Sequence, residues 1–235
     1  MPLFLSIETS AEICSVAIAE NQAIISSLSD SEPNSHSKKL SLLTQQVLQM
    51  SKTSINEMDA IVVSAGPGSF TGLRIGVSFA KGICFGSGKP LISVETLQAM
   101  ATSSEINLAE NELLCLIADA GNNEAYYAVF DHQNHQLVST SLGFFNEEIF
   151  KSFPEAEKYY FSGNKITKWT SFLQSRQEVI ILPEMKPSAS YLFKSAEEKF
   201  KLNLFEDLSN FEPLYIRDFK AKDYSAKIRK ILYSS

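Results

Sequence analysis

The stretch VVSAGPGSFTGLRIGVSFAKG, from Val62 to Gly82, constrains the fold more than any other part of the chain. An apolar strand runs into a glycine turn, the turn into a helical run, and the apolar KPLISV follows. Two strands joined through a helix lie parallel in one sheet, which selects an α/β architecture. The turn also has the setting of a phosphate loop, because the free N–H groups and positive dipole end of a helix N-terminus suit an anion. Its spelling does not fit. A G-x-x-x-x-G-K-[ST] loop starting at Gly66 would need glycine where Thr71 stands, and the first lysine is Lys81. A G-x-G-x-x-G loop would need the third glycine one residue before Gly72.

Around this unit the pattern repeats coarsely. LFLSIET, ICSVAIAE and QAIISSLS read as a three-strand meander, and HSKKLSLLTQQVLQM follows as a helix after Pro33, with Ser35 or Ser37 as its cap. DAIVVSAG is a buried strand, and ETLQAMATSS is a short helix behind KPLISV. The order is βββαβαβα. A second section starts near Leu113 with three strands, ELLCLIADA, EAYYAVFD and HQLVSTSLGFF. Helical pieces NEEIFKSF, KITKWTSFLQSR and SASYLFKSAEEKFKL follow, with the strand EVIILP among them. The expected fold is α/β with two lobes, each a mixed sheet with helices. The lobes are assigned to residues 1–103 and 104–210, with 211–235 returning to pack on the first. No residue-level repeat relates them.

The chain has 235 residues and a net charge of −6, against which a protein that grips nucleic acid alone usually shows a basic face. The exception is the tail FKAKDYSAKIRKIL, where Lys220, Lys222, Lys227, Arg229 and Lys230 gather; a solvated face is favoured over an RNA-contacting arm. No stretch has the length of a membrane span, and MPLFLSIETS lacks the basic flank, long apolar core and cleavage site of a secretion signal, so the cytoplasm is expected. Cys14, Cys84 and Cys115 lie far apart in apolar segments and are expected as buried free thiols.

Chemistry-bearing residues are few. On the helix after the glycine turn, Leu73, Val77, Ala80 and Cys84 make a bulky apolar face, Arg74, Ser78 and Lys81 a polar strip, and Gly72, Gly76, Phe79, Ile83 and Gly86 a glycine-rich face. Interior glycines cost a helix roughly 1 kcal/mol each relative to alanine, so something must approach closely: the chain's own sheet, or a helix of a partner. In the preceding helix His36, Leu40, Leu43, Val47 and Met50 share one stripe, from which Leu42 points away. A metal ligand partner for His36 would stand three or four residues on, where Lys39 and Leu40 are found. His132 and His135 lie in a hairpin turn with only Asp131 beside them, and Ser69 has no histidine marked out for it. Glu8, Thr9 and Ser10 form a polar turn between two strands, and Asp119 closes another; with Glu12 these are the acid–base or phosphate-proximal candidates.

SIETSAEICSVAIAE, HSKKLSLLTQQVL, VVSAGPGSFTGLRIGVSFAKGI, DAGNNEAYYAVF and PLYIRDFKAK, in this order, resemble the bacterial TsaB (YeaZ) family, most densely between Leu3 and Thr102. The resemblance implies a two-lobed actin, sugar kinase and Hsp70-like (ribonuclease H-like) fold. It also implies a catalytically inert relative of TsaD, the enzyme that transfers threonylcarbamoyl to the adenosine beside the anticodon of certain tRNAs. In TsaD the helix matching that of His36 carries an H-x-x-x-H metal pair, and here its second position is Leu40. What the resemblance implies is therefore a scaffold without metal or catalytic residues that binds TsaD through two helices and works with the ATPase TsaE. It further implies that homodimers through the same helices occur without TsaD, and that tRNA is met only through the complex. The partner-facing set it implies is His36, Leu40, Leu43, Val47, Phe70, Gly72, Leu73, Arg74, Gly76, Val77 and Ala80. Glu8, Thr9, Ser10 and Asp119 are the candidate nucleotide-proximal residues, turn chemistry being favoured over catalysis for their carboxylates, and the resemblance implies no cofactor in the isolated chain and ATP or ADP only in the complex. Gly121 and Asn122 stand where family members commonly carry a basic pair. The alternative function is an active small-molecule kinase or ATPase that uses Glu8, Thr9 and Asp119 around a magnesium nucleotide.

Overall fold

A computed structural model describes residues 2–21, 23–32 and 36–216. The basic tail falls outside the described residues. The first sheet contains β1 (Leu3–Glu8), β2 (Cys14–Glu20), β3 (Ala23–Asp30), β4 (Ala60–Gly66) and β5 (Leu91–Glu95), in the order β3-β2-β1-β4-β5. β1 pairs antiparallel with β2 and parallel with β4, and β4 pairs parallel with β5, as the meander and the strand–helix–strand unit require. Two helices, α1 (His36–Ser51) and α2 (Phe70–Ser87), cover one face, and α3 (Thr96–Ser103) follows β5.

The second sheet holds β6 (Glu112–Gly121), β7 (Glu124–Phe130), β8 (Gln136–Phe144), β9 (Lys158–Asn164) and β10 (Val179–Ile181), in the order β10-β9-β6-β7-β8. Read from its other edge, this is the order of the first sheet. The lobes are therefore topological repeats although their residues do not match. Their coverings differ. The β8–β9 connection carries only the 3-10 segment Glu147–Ser152, and the helix expected in KITKWTSFLQSR is a 3-10 turn, Ile166–Trp169, with a single turn α4 (Thr170–Leu173). Aromatic side chains fill the space instead: Phe145 packs on Phe161, Trp169 and Phe172, and Phe150 on Phe153 and Phe172.

One helix leaves the lobe to which its position assigns it. α5 (Leu192–Lys201) lies within 104–210 but buries Leu192, Phe193 and Ala196 against Phe4, Val62, Ile92 and Val94 of the first sheet. The cause is the face of β1, β4 and β5 turned away from α1 and α2: it is apolar and needs a cover. A further cluster joins the halves, with Leu97, Met100 and Ala101 of α3 packed on Leu114, Leu116 and Phe130 of the second sheet.

Candidate partner surface and the cleft beside it

The β1–β2 turn and the start of α2 explain the glycines. A Cβ added at Gly72 would stand 2.1 Å from the carbonyl oxygen of Thr9, at Gly76 2.2 Å from Thr9 Oγ1, and at Gly68 2.2 Å from the carbonyl oxygen of Ser10. The N–H of Ser69 donates to that same Ser10 oxygen at 2.7 Å. Ser69 caps α2, its hydroxyl accepting from the N–H of Gly72 at 3.2 Å. The close neighbour that Gly72 and Gly76 admit is thus the chain's own turn. This corrects their assignment to a partner helix.

The bulky stripes are also internal. Leu40, Leu43 and Val47 of α1 and Val77, Ala80 and Cys84 of α2 share one core with Leu5, Ile7, Val16 and Ile61 of the sheet, and Leu73 is buried as well. Leu40, Leu43, Val47, Gly72, Leu73, Gly76, Val77 and Ala80 are all buried in the chain's own interior, with Gly72 and Leu73 reaching only the wall of the cleft between the lobes. The reason is that a helical stripe of large apolar residues is buried first by the nearest sheet, and here a sheet lies beneath both helices. Met50, read on the same stripe, has rotated out and is 59% exposed.

Of the implied partner-facing set, Arg74 is exposed, and His36 and Phe70 are half-buried. His36 Nε2 donates to the carbonyl oxygen of Ala11 at 2.9 Å, tying α1 to the β1–β2 turn. The outward side of the pair carries Leu42, Met50 and Phe85, the last 87% exposed. On α2 it continues through Thr71, Ser78, Gly82 and Gly86, all exposed. The sequence signal for this surface was Leu42, the apolar residue that breaks the stripe of α1.

Arg74 is held in place. Its guanidinium carbon lies 4.1 Å from the centre of the Phe70 ring, and its Nε donates to Tyr215 Oη at 3.1 Å. The Phe70 and Tyr215 rings meet at 4.9 Å. Tyr215 belongs to a returning segment whose Leu214 N–H donates to the carbonyl oxygen of Ala65 at 2.8 Å, while Lys81 Nζ donates to the Phe211 carbonyl at 3.0 Å.

Between the lobes is a cleft of about 1360 Å³, bordered by Ser10, Glu12, the first turn of α2, Asp119, Lys165 and Tyr215. Two of its carboxylates meet lysines. Lys165 Nζ meets Glu12 at 2.6 Å across the cleft, and Lys168 Nζ meets Asp119 at 2.7 Å. Burial pushes the Asp119 carboxyl up, but the hydrogen bonds from Lys168 and the Gly121 N–H, with the lysine charges, outweigh it and hold the group below its ordinary value. Glu8 and Thr9 do not border the cleft. Glu8 is buried and accepts the Ser10 N–H at 2.5 Å, and burial raises its pKa against these hydrogen bonds. Thr9 Oγ1 faces Gly76. Ser10 and Asp119 alone of the four nucleotide-proximal candidates reach the cleft.

Burial also pushes the thiols up, Cys14 to about 11 and Cys84 to about 12, so neither is a thiolate nucleophile near neutrality. Among the described residues no group of three His, Cys, Asp or Glu side chains is placed to hold a metal ion, and no helix is long and apolar enough to cross a membrane.

The family described as "TsaD: tRNA N6-adenosine threonylcarbamoyltransferase" matches residues 30–223. A relative that spans nearly the whole chain is the "tRNA threonylcarbamoyladenosine biosynthesis protein TsaB" of Haemophilus influenzae, 28% identical over 91% of this chain and 93% of that one. The chain belongs to this family, in its TsaB (YeaZ) branch. The Escherichia coli protein of the same description is 33% identical over 57% of each chain. In three dimensions YeaZ from Pseudomonas aeruginosa matches with a TM-score of 0.77 at 23% identity, covering 92% of this chain and all of its own, which gives the same two-lobed fold.

Proposed function

We propose that this TsaB-branch chain is a non-catalytic subunit in the synthesis of N6-threonylcarbamoyladenosine on tRNA, binding a TsaD-type protein and through it TsaE. The observation that carries the reading is the outward face of α1 and α2, where Leu42, Met50 and Phe85 stand exposed on two helices whose other sides are fully engaged. Exposed apolar residues on helices that are well packed beneath suit a helix-on-helix interface. The cleft supports the non-catalytic part. Asp119 is bound to Lys168, Lys165 to Glu12, and Glu8 is buried away, so no free carboxylate is offered to a metal nucleotide by these groups. Nucleotide is accordingly assigned to the complex rather than to the isolated chain, and tRNA to contact through TsaD. The reading places the protein in the cytoplasm, where tRNA is modified.

The test is co-elution of the full-length chain with TsaD of its own organism. Ser78→Arg, a bulky change at an exposed position of α2, is expected to abolish the complex while leaving the chain folded. Wild-type protein that fails to co-elute overturns the reading. Calorimetry of the isolated chain with ATP and Mg²⁺ separates the kinase alternative, which requires binding heat.

A further inference from the structure

The two surface helices carry cations and no acidic residue. The chain has 27 acidic residues, yet neither α1 nor α2 contains an Asp or Glu. Their cations are Lys38, Lys39, Arg74 and Lys81. Lys39 is engaged by Asp30 and Glu32, and Lys81 by the Phe211 carbonyl. Arg74 has no acidic partner among the described residues, although its side chain is already immobilised by Phe70 and Tyr215.

We propose that Arg74, clamped by Phe70 and Tyr215, is a preformed carboxylate receptor at the edge of the α1–α2 face, and that its occupant is an Asp or Glu of a different protein. The proposal rests on the reading of this face as the partner surface. With the ring beneath the guanidinium and Nε committed to the tyrosine hydroxyl, both terminal amino groups remain to form the two parallel hydrogen bonds that a carboxylate accepts. The side-chain entropy lost on binding is reduced in advance, which is how preorganisation raises affinity. Arginine and tyrosine are also the residue types on which binding energy concentrates.

Charge decides between occupants. In a second copy docked face to face, Lys38 and Arg74 of each copy add positive charge to the interface, and neither helix has a carboxylate to offer Arg74. A different chain can supply one. A phosphate has a similar fork-accepting geometry, but Phe85 and Met50, exposed on the same face, suit an apolar protein surface and not a ribose–phosphate backbone.

Titration calorimetry of the full-length chain against its organism's TsaD-type protein reads the clamp. Arg74→Ala is expected to weaken binding on the order of tenfold or more, as loss of an anchoring arginine does. Arg74→Lys is expected to recover only part of this, because an ammonium cannot reproduce the fork. Tyr215→Phe, which removes only the hydroxyl that orients the guanidinium, is expected to weaken binding by less than Arg74→Ala. Circular dichroism should show all three folded as wild type. If Arg74→Ala and Arg74→Glu bind as wild type while Ser78→Arg does not bind, the clamp is wrong and the surface is right. If Ser78→Arg also binds normally, both are wrong. Two results overturn the choice of occupant: sedimentation in which Arg74→Ala dissociates a homodimer, or weakened binding of tRNA to the isolated chain by Arg74→Ala.

Discussion

The side-chain oxygen of Thr9 occupies the space where a side chain at position 76 would begin, 2.2 Å from a Cβ built on Gly76. The same turn places the Thr9 carbonyl oxygen 2.1 Å from a Cβ at Gly72. Helix α2 is thus seated on the β1–β2 turn, and its stability depends on two absent methyl groups.

Gly72→Ala and Gly76→Ala are expected to destabilise the isolated chain by about 1–3 kcal/mol, the usual range for overpacking, with Gly72 the more severe because it meets backbone. A Cβ added at Gly82 would meet nothing within 4 Å, so Gly82→Ala should stabilise by about 0.5–1 kcal/mol through helix propensity. Urea midpoints of the three variants check the contrast. Equal shifts in one direction would remove the seating argument.

Leu40→Ala tests the reassignment of the α1 stripe. Leu40 is almost completely buried in the first core, so the variant should lose about 2–5 kcal/mol with no partner present. A wild-type midpoint for the free variant would return Leu40 to the partner surface.

Phe85→Ala should behave in the opposite way. With the ring 87% exposed, the free chain is expected to keep its stability to within about 0.5 kcal/mol. Its complex with the TsaD-type protein should weaken on the order of tenfold if the ring is an anchor of that interface. Parallel melting and calorimetry separate the two effects.

Glu8 gives the pH dependence. Burial raises its carboxyl from the ordinary value of 4.5, so the folded chain holds this proton more tightly than the unfolded chain. The resulting stabilisation is fully present below 4.5 and is lost as pH rises through the folded-state value. Glu8→Gln, which carries no charge at any pH and can still accept the Ser10 N–H, should therefore gain on wild type as pH rises above 4.5. Asp119 contributes with the opposite sign: its stabilisation is present above its ordinary value of 3.8 and is lost as pH falls through its lowered folded-state value. Denaturation midpoints of wild type and Glu8→Gln from acid to neutral pH measure the difference.

The strands and the two surface helices were legible because their signals are local. Alternation, the glycine turn and the stripe through Leu40, Leu43 and Val47 each sit in one continuous stretch. What covers a face is not local. Gly72 and Gly76 announced a close neighbour, but that neighbour is Thr9, more than 60 residues earlier, and glycine spacing does not say whether such a neighbour belongs to the same chain. The stripe of α1 marked what is buried by the sheet, so the outward surface had to be sought among the residues that break it, Leu42 first. In the second lobe KITKWTSFLQSR carried a helical pattern, yet only one α-helical turn forms, beside the aromatic cluster of Phe145, Phe161 and Trp169. The exchange of α5 onto the first sheet was hidden for the same reason as Thr9, since its apolar residues fit any sheet face.

The cluster that joins α3 to the second sheet has a consequence for how the chain can be divided. Leu97, Met100 and Ala101 find their burial against Leu114, Leu116 and Phe130, and Leu192 and Phe193 complete the sheet that residue 3 begins. Each half therefore holds part of the other's interior. Cut near residue 104, the chain would yield two fragments with raw apolar flanks, and the intact chain should melt in a single step, as one object that merely looks like two.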